Sequence, residues 1–485
     1  MAPAALVVII SGIVRSRLGS LLFLIAFFPL VALADPGSSS DQSAASVPDT
    51  GFGPGTSPRY GLAVAELLGS QVAVNVFDRY VSDEYWADVN LQAWESNIEG
   101  PWVYDRDPWP VNELGHPLQG AIYFSAARSN GMNFWESSLA SGVGGALWEL
   151  FGETHTPDTN DFITTALGGS VVGEIFHRLY AVAAASDSSW RFFVPSLDAV
   201  NDELYDCNPA FDADEGRLPL HCSVATGFSY VDASLSSARN IPSDAGTGGP
   251  SCFATESLVY GRPFGTIHAP FDYFTQSFTV VTAPPDYGLV WFSSGDLASW
   301  PLVDETKAKL VAVTNLDYDF IYGDLFEFST NSFGTGLRGE LEEPGGWRLS
   351  GELHLNFLAL ATTESVYLRE DPAITEGSPN AGRDYDFGYG AGTKIRLAVS
   401  QRRAGRLSVD YALYDIQEVP CAVLSEAAFD YAFLGVLNVS YEHRIFRHMT
   451  LGLDYTLYHK YAVYEDLASV YEYVEAFSLV VKMQS

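Results

Sequence analysis

The spacing of apolar residues changes once along the chain, near position 217. From about 60 to 186, apolar residues recur three and four positions apart, and prolines lie mainly between such segments, which predicts helices. After 217 the period is two: in WRLSGELHLNFLAL (347–360), the residues Trp347, Leu349 and Leu353 lie on one face and polar residues on the other. Segments that alternate in this way and are separated by turns containing Gly, Asn, Asp or Pro are predicted to be β-strands with one apolar and one polar face.

Two β architectures have this alternation of apolar and polar residues along their strands. KIRLAVS (394–400), LSVDYALY (407–414) and LGLDYTLY (451–458) repeat the pattern, and a soluble sandwich has the same alternation with its polar face outward. An export signal and many aromatic residues near the strand ends favour a membrane barrel, because aromatic girdles lie at both bilayer interfaces. We therefore predict a mainly β protein, a transmembrane antiparallel β-barrel of about 12 strands, preceded by a compact three-helix, Gly-rich cluster.

The N-terminus has the features of a secretory signal. Arg15 and Arg17 precede the apolar run SLLFLIAFFPLVALA (20–34), which ends in small residues that suit cleavage before Asp35. Another apolar piece lies at 5–14, so a signal anchor kept in the inner membrane is the alternative. We predict an exported protein of the outer membrane.

The predicted domains follow from these changes of pattern. The stretch DPGSSSDQSAASVPDTGFGPGTSP is rich in Ser, Gly and Pro and has no apolar period, which indicates a flexible linker. The predicted boundaries are 1–34 for the signal peptide, 35–58 for the linker, 59–186 for the helical domain, 187–216 for a connecting loop and 217–485 for the barrel.

The net charge of the chain limits the classes of molecule that it can bind. Without residues 1–34 the chain has 24 basic and 60 acidic groups, a formal charge of 24 − 60 = −36, so nucleic acid is excluded as a partner. After the signal no run of eighteen apolar residues is free of charge, so helical membrane spans are not predicted. The cysteines have no metal-ligand spacing, and Cys207 could form a disulfide with Cys222 or Cys252. No cofactor is predicted.

Three helices are predicted between 116 and 186. The first runs from Pro117 to about Asn130, the second from Asn133 or Phe134 to Phe151, and the third from Asn160-Asp161 to about Ala185. Glycines four apart lower helix propensity by up to about 1 kcal/mol each, so their presence at 169 and 173 indicates close backbone approach. We expect a tightly packed helical cluster.

Carboxylates are unusually frequent in this apolar block. Glu149 and Glu153 lie one turn apart, and Glu174 with His177 has a Glu-x-x-His spacing; with His116 they could form a metal or acid–base site.

The structural interpretation of the same carboxylates is that buried acids need partners. In that case Glu149 and Glu174 accept hydrogen bonds from the loop at 156–161 and pair with Arg128 or Arg178. We favour this interpretation and predict no bound metal.

Two segments of the helical domain resemble a known protein family. NELGHPLQGAIYFSAARSNGMNFWESS (112–138) and GALWELFGETHTPDTNDFITTALGGSVVGEIFHRL (145–179) resemble the bacterial family catalogued as domain of unknown function 3943, over roughly residues 90–182. The chain departs from the family pattern at 157–159. The resemblance implies an exported envelope protein with a barrel after the helical domain, and it supplies no activity. The motif positions expected to matter for binding or structure are Asn112, His116, Tyr123, Arg128, Asn130, Trp135, Glu136, Trp148, Glu149, Glu153, Asn160, Asp161 and Glu174.

Three functions compete. The first is a non-enzymatic outer-membrane barrel with a helical plug or periplasmic domain, which passes or binds a small molecule or lipid and has the lipid bilayer as its partner. The second is an envelope enzyme acting on lipid or acyl chains, with His116 as base, Glu149 or Glu153 orienting it, and Ser125, Ser129 or Ser137 as the candidate nucleophile; no Gly-x-Ser-x-Gly motif supports it. The third is an anchoring barrel whose acidic loops, such as 368–386, meet cations or basic partners. We favour the first.

Overall fold

Two compact units make up the described part of the chain. The computed structural model describes residues 57–105, 107–186, 188–205, 218–237, 249–283, 286–323, 326–370, 383–419, 429–465 and 467–484. The helical unit comprises residues up to Val103 and Pro110–Leu220, and the barrel unit comprises Tyr104–Trp109 and His221–Gln484. The predicted signal, nearly all of the predicted linker, and Cys207 lie outside the described residues, so these remain predictions.

The helical unit is built from helices joined by short turns. Its described helices are α1 Tyr60–Tyr80, α2 Leu91–Glu99, α3 His116–Arg128, α4 Phe134–Leu147, α5 Thr159–Ile163, α6 Gly169–Ala185 and α7 Asp198–Tyr205; π-helical turns lie at Val111–Gly115, Trp148–Gly152 and Thr164–Gly168, and 3-10 turns at Tyr85–Ala87 and Ser189–Phe193.

The three helices predicted between 116 and 186 are present, and further helices precede and follow them. The predicted third helix is divided into α5 and α6 by the π-helical turn Thr164–Gly168. The stretch 187–216, predicted as a connecting loop, contains α7, whose sequence DAVNDELY has weak apolar periodicity. The side chains of Asp198 and Asn201 are buried there, so tertiary hydrogen bonds rather than an apolar stripe hold this helix.

Glycines allow two central helices to touch through their backbones. A Cβ atom at Gly120 of α3 would lie 2.0 Å from the carbonyl oxygen of Thr165, and one at Gly169 of α6 would lie 2.5 Å from Gly120. At Gly173 it would lie 2.7 Å from the ring of Phe124. The predicted close backbone approach is confirmed at Gly169, whereas Gly173 makes room for the ring of Phe124.

The barrel unit is a closed antiparallel barrel of twelve strands, as predicted. Each strand pairs with its sequence neighbours, and β1 pairs with β12 from Ser223↔Gln484 to Ser237↔Val470. The strands are β1 Leu220–Ser237, β2 Gly249–Tyr260, β3 Phe274–Ala283, β4 Asp286–Asp304, β5 Ala308–Gly323, β6 Phe328–Glu343, β7 Trp347–Glu364, β8 Tyr385–Gln401, β9 Gly405–Glu418, β10 Tyr431–Phe446, β11 Met449–Val463 and β12 Val470–Gln484, with a short helix, α8, at Val366–Glu370.

The barrel's two ends differ. At one, the turn end, β1 begins and β12 ends, and the connections 305–307, 344–346, 402–404 and 447–448 are short. At the opposite loop end lie the longer connections, such as 365–384 and 419–430. The connection 261–273 is the exception at the turn end, and it includes Gly261 with φ +79°.

The barrel wall is apolar outside and polar inside. On β7, Leu355 and Phe357 face outward and are 56% and 58% exposed, whereas Glu352, His354 and Asn356 face the lumen. Exposed large apolar side chains continue around β6 to β12 and β1. A closed barrel satisfies its backbone amides internally, so this wall suits a lipid environment.

Six residues that the sequence assigned to the helical domain belong to the barrel unit. We call Tyr104–Trp109 the wall segment. Trp109, which is 2% exposed, lies 5.0 Å from the ring of Phe320 and 5.7 Å from that of Tyr322, both outward-facing on β5. Further contacts reach β7 and β8: Trp109 Nε1 donates to Thr362 Oγ1 at 3.1 Å, Tyr385 Oη donates to the carbonyl oxygen of Asp107 at 2.7 Å, and Tyr104 packs on Phe387.

Trp109→Ala tests the wall segment. We expect the substitution to lower the free energy of unfolding of the barrel unit by about 3 kcal/mol, because truncating a buried aromatic side chain removes apolar contacts and leaves a cavity. Urea unfolding in detergent measures the change. Trp300→Ala is the control, since Trp300 is 53% exposed. Equal losses for the two variants would show that the segment does not stabilise the barrel.

Candidate functional site

The predicted carboxylates of the helical unit meet at its interior in a group that we call the His116 cluster: His116, Glu149, Glu153, Asp158 and Asp161. His116 begins α3, Glu149 lies in the π-helical turn after α4, and Asp161 lies in α5. His116 Nε2 and Asp161 Oδ2 are 3.2 Å apart, and Glu149 Oε2 accepts a hydrogen bond from the backbone N–H of Asp158 at 2.8 Å. The predicted bond between Glu149 and the loop is confirmed.

This cluster has the donor set of a metal site. One ligand atom each from His116, Glu149 and Asp161 lies within 4.8 Å of the others, and the same holds for Glu149, Glu153 and Asp158. Imidazole nitrogen and carboxylate oxygen are common ligands of divalent transition metals. The arrangement can therefore hold a cation or share protons among its acids; the sequence favoured neither use.

Burial and like charge act together on Glu149. Its side chain is almost fully buried, and burial followed by the neighbouring charges of Glu153 and Asp161 raises its pKa well above the ordinary value. A protonated Glu149 can still accept the hydrogen bond from Asp158, so the cluster does not need this charge in order to stay folded.

Glu174, equally buried, is in the opposite electrostatic situation. It accepts hydrogen bonds from Arg128 Nε at 2.9 Å and from Arg178 Nε at 2.7 Å. Burial alone would raise the pKa of Glu174, but the two arginine charges outweigh it and lower the pKa. The predicted pairing of Glu174 with these arginines is confirmed.

A second polar network was not foreseen from the sequence. His177 Nδ1 lies 3.0 Å from Asp198 Oδ1, and Asn201 Nδ2 donates to Ser129 Oγ at 2.7 Å and to Glu66 Oε2 at 3.2 Å. Glu66 lies in α1, outside the family-like segments, and Asp198 and Asn201 lie in the stretch predicted as loop. No local motif marks them, because Asp198 lies 21 positions from His177, and Asn201 lies 72 positions from Ser129 and 135 from Glu66.

The predicted enzyme site is brought together only in part: its base and its carboxylates meet in the His116 cluster, but Ser129 does not join them. His116 and Ser129 lie at opposite ends of α3, and thirteen residues at 1.5 Å each separate them by about 20 Å. Ser129 Oγ instead donates to the carbonyl oxygen of Ser125 at 2.7 Å. A nucleophile must lie within hydrogen-bond reach of its base, so this geometry does not support Ser129 as a nucleophile activated by His116.

The other predicted positions have mainly structural surroundings. Glu136 forms a capping box with Asn133 at the start of α4, and Trp135 beside it is 58% exposed. The rest are buried: Asn112; Tyr123, whose hydroxyl accepts from Gln119; Asn130, which donates to Glu66; Trp148, in edge contact with Trp86; and Asn160, which donates to Asp161.

The barrel unit contains a separate site, a luminal chamber of about 710 Å³. Arg338 makes a bidentate pair with Asp296, at 2.9 and 3.0 Å, and donates through Nε to Glu352 at 2.7 Å. Lys394 Nζ lies 2.7 Å from both Asp317 Oδ2 and Asp319 Oδ2. Acidic and basic side chains thus alternate across the lumen.

The chamber ends at an apolar cluster near the loop end, which we call the luminal cluster. Phe328 and Tyr414 pack with ring centroids 4.6 Å apart, and Leu358 is buried beside them. From the connection after β7, Val366 and Tyr367 join them, and Tyr367 Oη donates to the carbonyl oxygen of Ala468. In the described residues, apolar side chains therefore pack the lumen here.

The fold and these sites define an antiparallel barrel protein of twelve strands with an N-terminal helical unit. Residues 101–193 match the family described as "Domain of unknown function (DUF3943)", which confirms the predicted resemblance. The matched region includes the wall segment. No curated protein matches the chain.

Among solved structures, the chain is similar to several outer membrane barrels. The outer membrane channel DcaP of Acinetobacter baumannii is 8% identical, with 55% of this chain and 97% of that chain covered and a TM-score of 0.26. An outer membrane channel from Pseudomonas putida F1 is 8% identical, with 57% of this chain and 99% of that chain covered and a TM-score of 0.28. The P. putida toluene transporter TodX is 9% identical, with 55% of this chain and 89% of that chain covered and a TM-score of 0.24. These scores are low, so the fold assignment rests on the strand pairing described above.

Glu149→Gln and Glu174→Gln should shift stability in opposite directions as pH rises. The raised pKa of Glu149 means that the folded state binds this proton more tightly than the unfolded state, so wild-type stability falls as pH rises above the ordinary value of 4.5. Glu149→Gln should therefore gain stability relative to wild type with rising pH. The lowered pKa of Glu174 stabilises the fold above 4.5 and this contribution is lost on acidification, so Glu174→Gln should lose relative stability as pH rises.

Thermal unfolding followed by circular dichroism at 222 nm, across pH 4 to 8 in detergent, measures both variants. At pH 7 we expect Glu174→Gln to cost about 3 kcal/mol, because the neutral amide no longer offsets the charges of the two buried arginines. Parallel pH profiles for the two variants would contradict the assignment of opposite charge states.

Proposed function

We propose that the barrel lies in the outer membrane, where its lumen binds a small polar molecule and lets it pass, and that the helical unit is a non-catalytic domain. Two features of the barrel unit support this placement. Its exposed wall is apolar over most of the circumference, and its closure leaves no unpaired strand edge in lipid.

The observation that carries the proposal is the charged luminal chamber. Its volume of about 710 Å³ suits a small molecule, since ligand pockets typically enclose roughly 300–1,000 Å³. The bidentate pair Arg338–Asp296 and the Lys394–Asp317 pair offer donors and acceptors close together. A solute carrying both donor and acceptor groups fits this lining better than a hydrocarbon does.

The luminal cluster gives the chamber a barrier at the loop end. Its side chains come from strands and from the connection after β7, as in Leu358 and Val366. Passage then requires these side chains to move, whereas binding from the turn end does not. Because the luminal cluster packs the lumen at the loop end, we expect the resting barrel to have a low electrical conductance.

Lys394→Gln tests the lumen as the route. Removing this cation leaves the carboxylates of Asp317 and Asp319 without their nearest positive charge, so ion selectivity should shift towards cations. Reversal potentials across a planar bilayer, under a salt gradient, measure the shift. Lys307→Gln is the control, because Lys307 lies in the turn after β4 and removes the same charge outside the chamber.

Liposome swelling with small zwitterionic and neutral solutes complements the electrical measurement. We expect solute entry with the wild-type barrel and an altered rate with Lys394→Gln. Absence of both conductance and swelling, or identical selectivity shifts for Lys394→Gln and Lys307→Gln, would contradict passage through the chamber.

A further inference from the structure

Helix α1 exposes only apolar and small residues. The exposed positions recur every four residues over the whole helix, and the residues beside them along the same face are Ala or Gly. They are Tyr60, Gly61, Val64, Ala65, Leu68, Gly69, Val72, Ala73, Val76 and Tyr80. Single exposed apolar residues are ordinary, but a continuous stripe marks a contact surface.

The polar residues of α1 face the interior of the helical unit. Glu66 accepts hydrogen bonds from Asn130 and Asn201. Gln71 Nε2 donates to the carbonyl oxygen of Gly144 at 2.7 Å, and Asn75 Nδ2 donates to that of Gly152 at 2.9 Å. The helix is therefore amphipathic in the reverse sense: its polar face is packed and its apolar face is exposed.

Helix α4 repeats this arrangement. Its exposed residues are Trp135, Leu139 and Val143, whereas Ser141 is buried and donates to the carbonyl oxygen of Gly120 at 3.0 Å. The two helices are neighbours, because Tyr60 Oη donates to Glu136 and Gln71 bonds to Gly144. The exposed apolar surface of the helical unit thus extends over both helices.

Water is a poor solvent for such a surface. Leaving a Val or Leu side chain in water is unfavourable relative to burying it, and α1 alone exposes Val64, Leu68, Val72 and Val76. A covering phase is required that is apolar and makes no hydrogen bonds with the helix, since the face offers no side-chain donor or acceptor between Tyr60 and Tyr80.

We propose that α1 and α4 lie with this face against lipid hydrocarbon. Helix α1 has 21 residues, which at 1.5 Å per residue gives about 30 Å, the thickness of a bilayer's hydrocarbon core. Tyr60 and Tyr80 stand at its two ends, where interfacial aromatic residues are found. Among the described helices, only α1 is long and apolar enough to cross a membrane. Of the 18-residue apolar stretch within it, 11% is buried.

The sequence-based exclusion of helical spans is corrected for α1 in this proposal. Its charged residues, Glu66, Asp78 and Arg79, lie on the inner or half-buried side, so they do not meet lipid. The placement also differs from a freely solvated periplasmic domain. It is independent of passage, and it rests on the proposed function only in requiring the barrel to be in a bilayer.

Photo-crosslinking of the full chain in phospholipid vesicles tests the placement. The photoreactive residue p-benzoylphenylalanine replaces Val72 on the exposed face of α1, which is 62% exposed. Leu355, on the outward face of β7, is the lipid-facing control, and Glu95, an exposed residue of α2, is the water-facing control. We expect a mass increase of one phospholipid at Val72 and at Leu355, and none at Glu95.

The two proposals fail in distinguishable ways. A lipid adduct at Leu355 without one at Val72 overturns the placement of α1 and leaves the barrel in the membrane. Absence of lipid adducts at both positions overturns both. A crosslink from Val72 to a second copy or to another protein also overturns lipid as the occupant. If the variant at Val72 does not fold, as judged by circular dichroism, the same probe at Val76 gives the decision.

Discussion

Closure between β1 and β12 is the constraint on which the barrel depends. The fifteen paired positions from Ser223↔Gln484 to Ser237↔Val470 remove the two strand edges that an open sheet would leave. With the backbone satisfied internally, the outward side chains can be apolar without exposing peptide groups to lipid. The polar side chains must then face the lumen, where Arg338, Lys394 and their carboxylate partners satisfy one another.

Both units share one distribution of polarity. The barrel has a polar lumen and an apolar wall, and the helical unit has buried ion pairs such as Glu174–Arg178 beneath apolar faces on α1 and α4. In a water-soluble protein the opposite arrangement is usual. The same distribution in two separately packed units is the basis for proposing that lipid is the solvent for a large part of the surface of each.

Residue spacing was sufficient to predict the strands. Alternation in segments such as 347–360 depends only on the pleat of a strand, so it is visible locally, and glycines at 169 and 173 likewise marked close helix packing. What escaped prediction depends on distant partners. The wall segment belongs to the barrel because Trp109 packs on Phe320 and donates a hydrogen bond to Thr362. In the helical unit, Glu66 accepts a hydrogen bond from Asn201, 135 positions away.

The buried acids illustrate the same limit. Glu149 and Glu174 were predicted together as structural carboxylates, without a difference in their charge states. Their charge states differ because Arg128 and Arg178 surround Glu174, whereas burial, Glu153 and Asp161 act on Glu149. Arg178 lies four residues after Glu174 and Glu153 four residues after Glu149, so the sequence gives part of this difference; the contributions of Arg128, Asp161 and burial appear only in the three-dimensional arrangement.

The most direct test of the central claim is sedimentation of the purified, folded chain as detergent is removed. With its exposed apolar wall facing lipid in the cell, the chain should remain dispersed only in detergent or lipid, and should aggregate without them while keeping its β-sheet circular dichroism. A monodisperse monomer in detergent-free buffer, with the same β-sheet content, would contradict a barrel and helical unit whose outer surfaces are made for lipid.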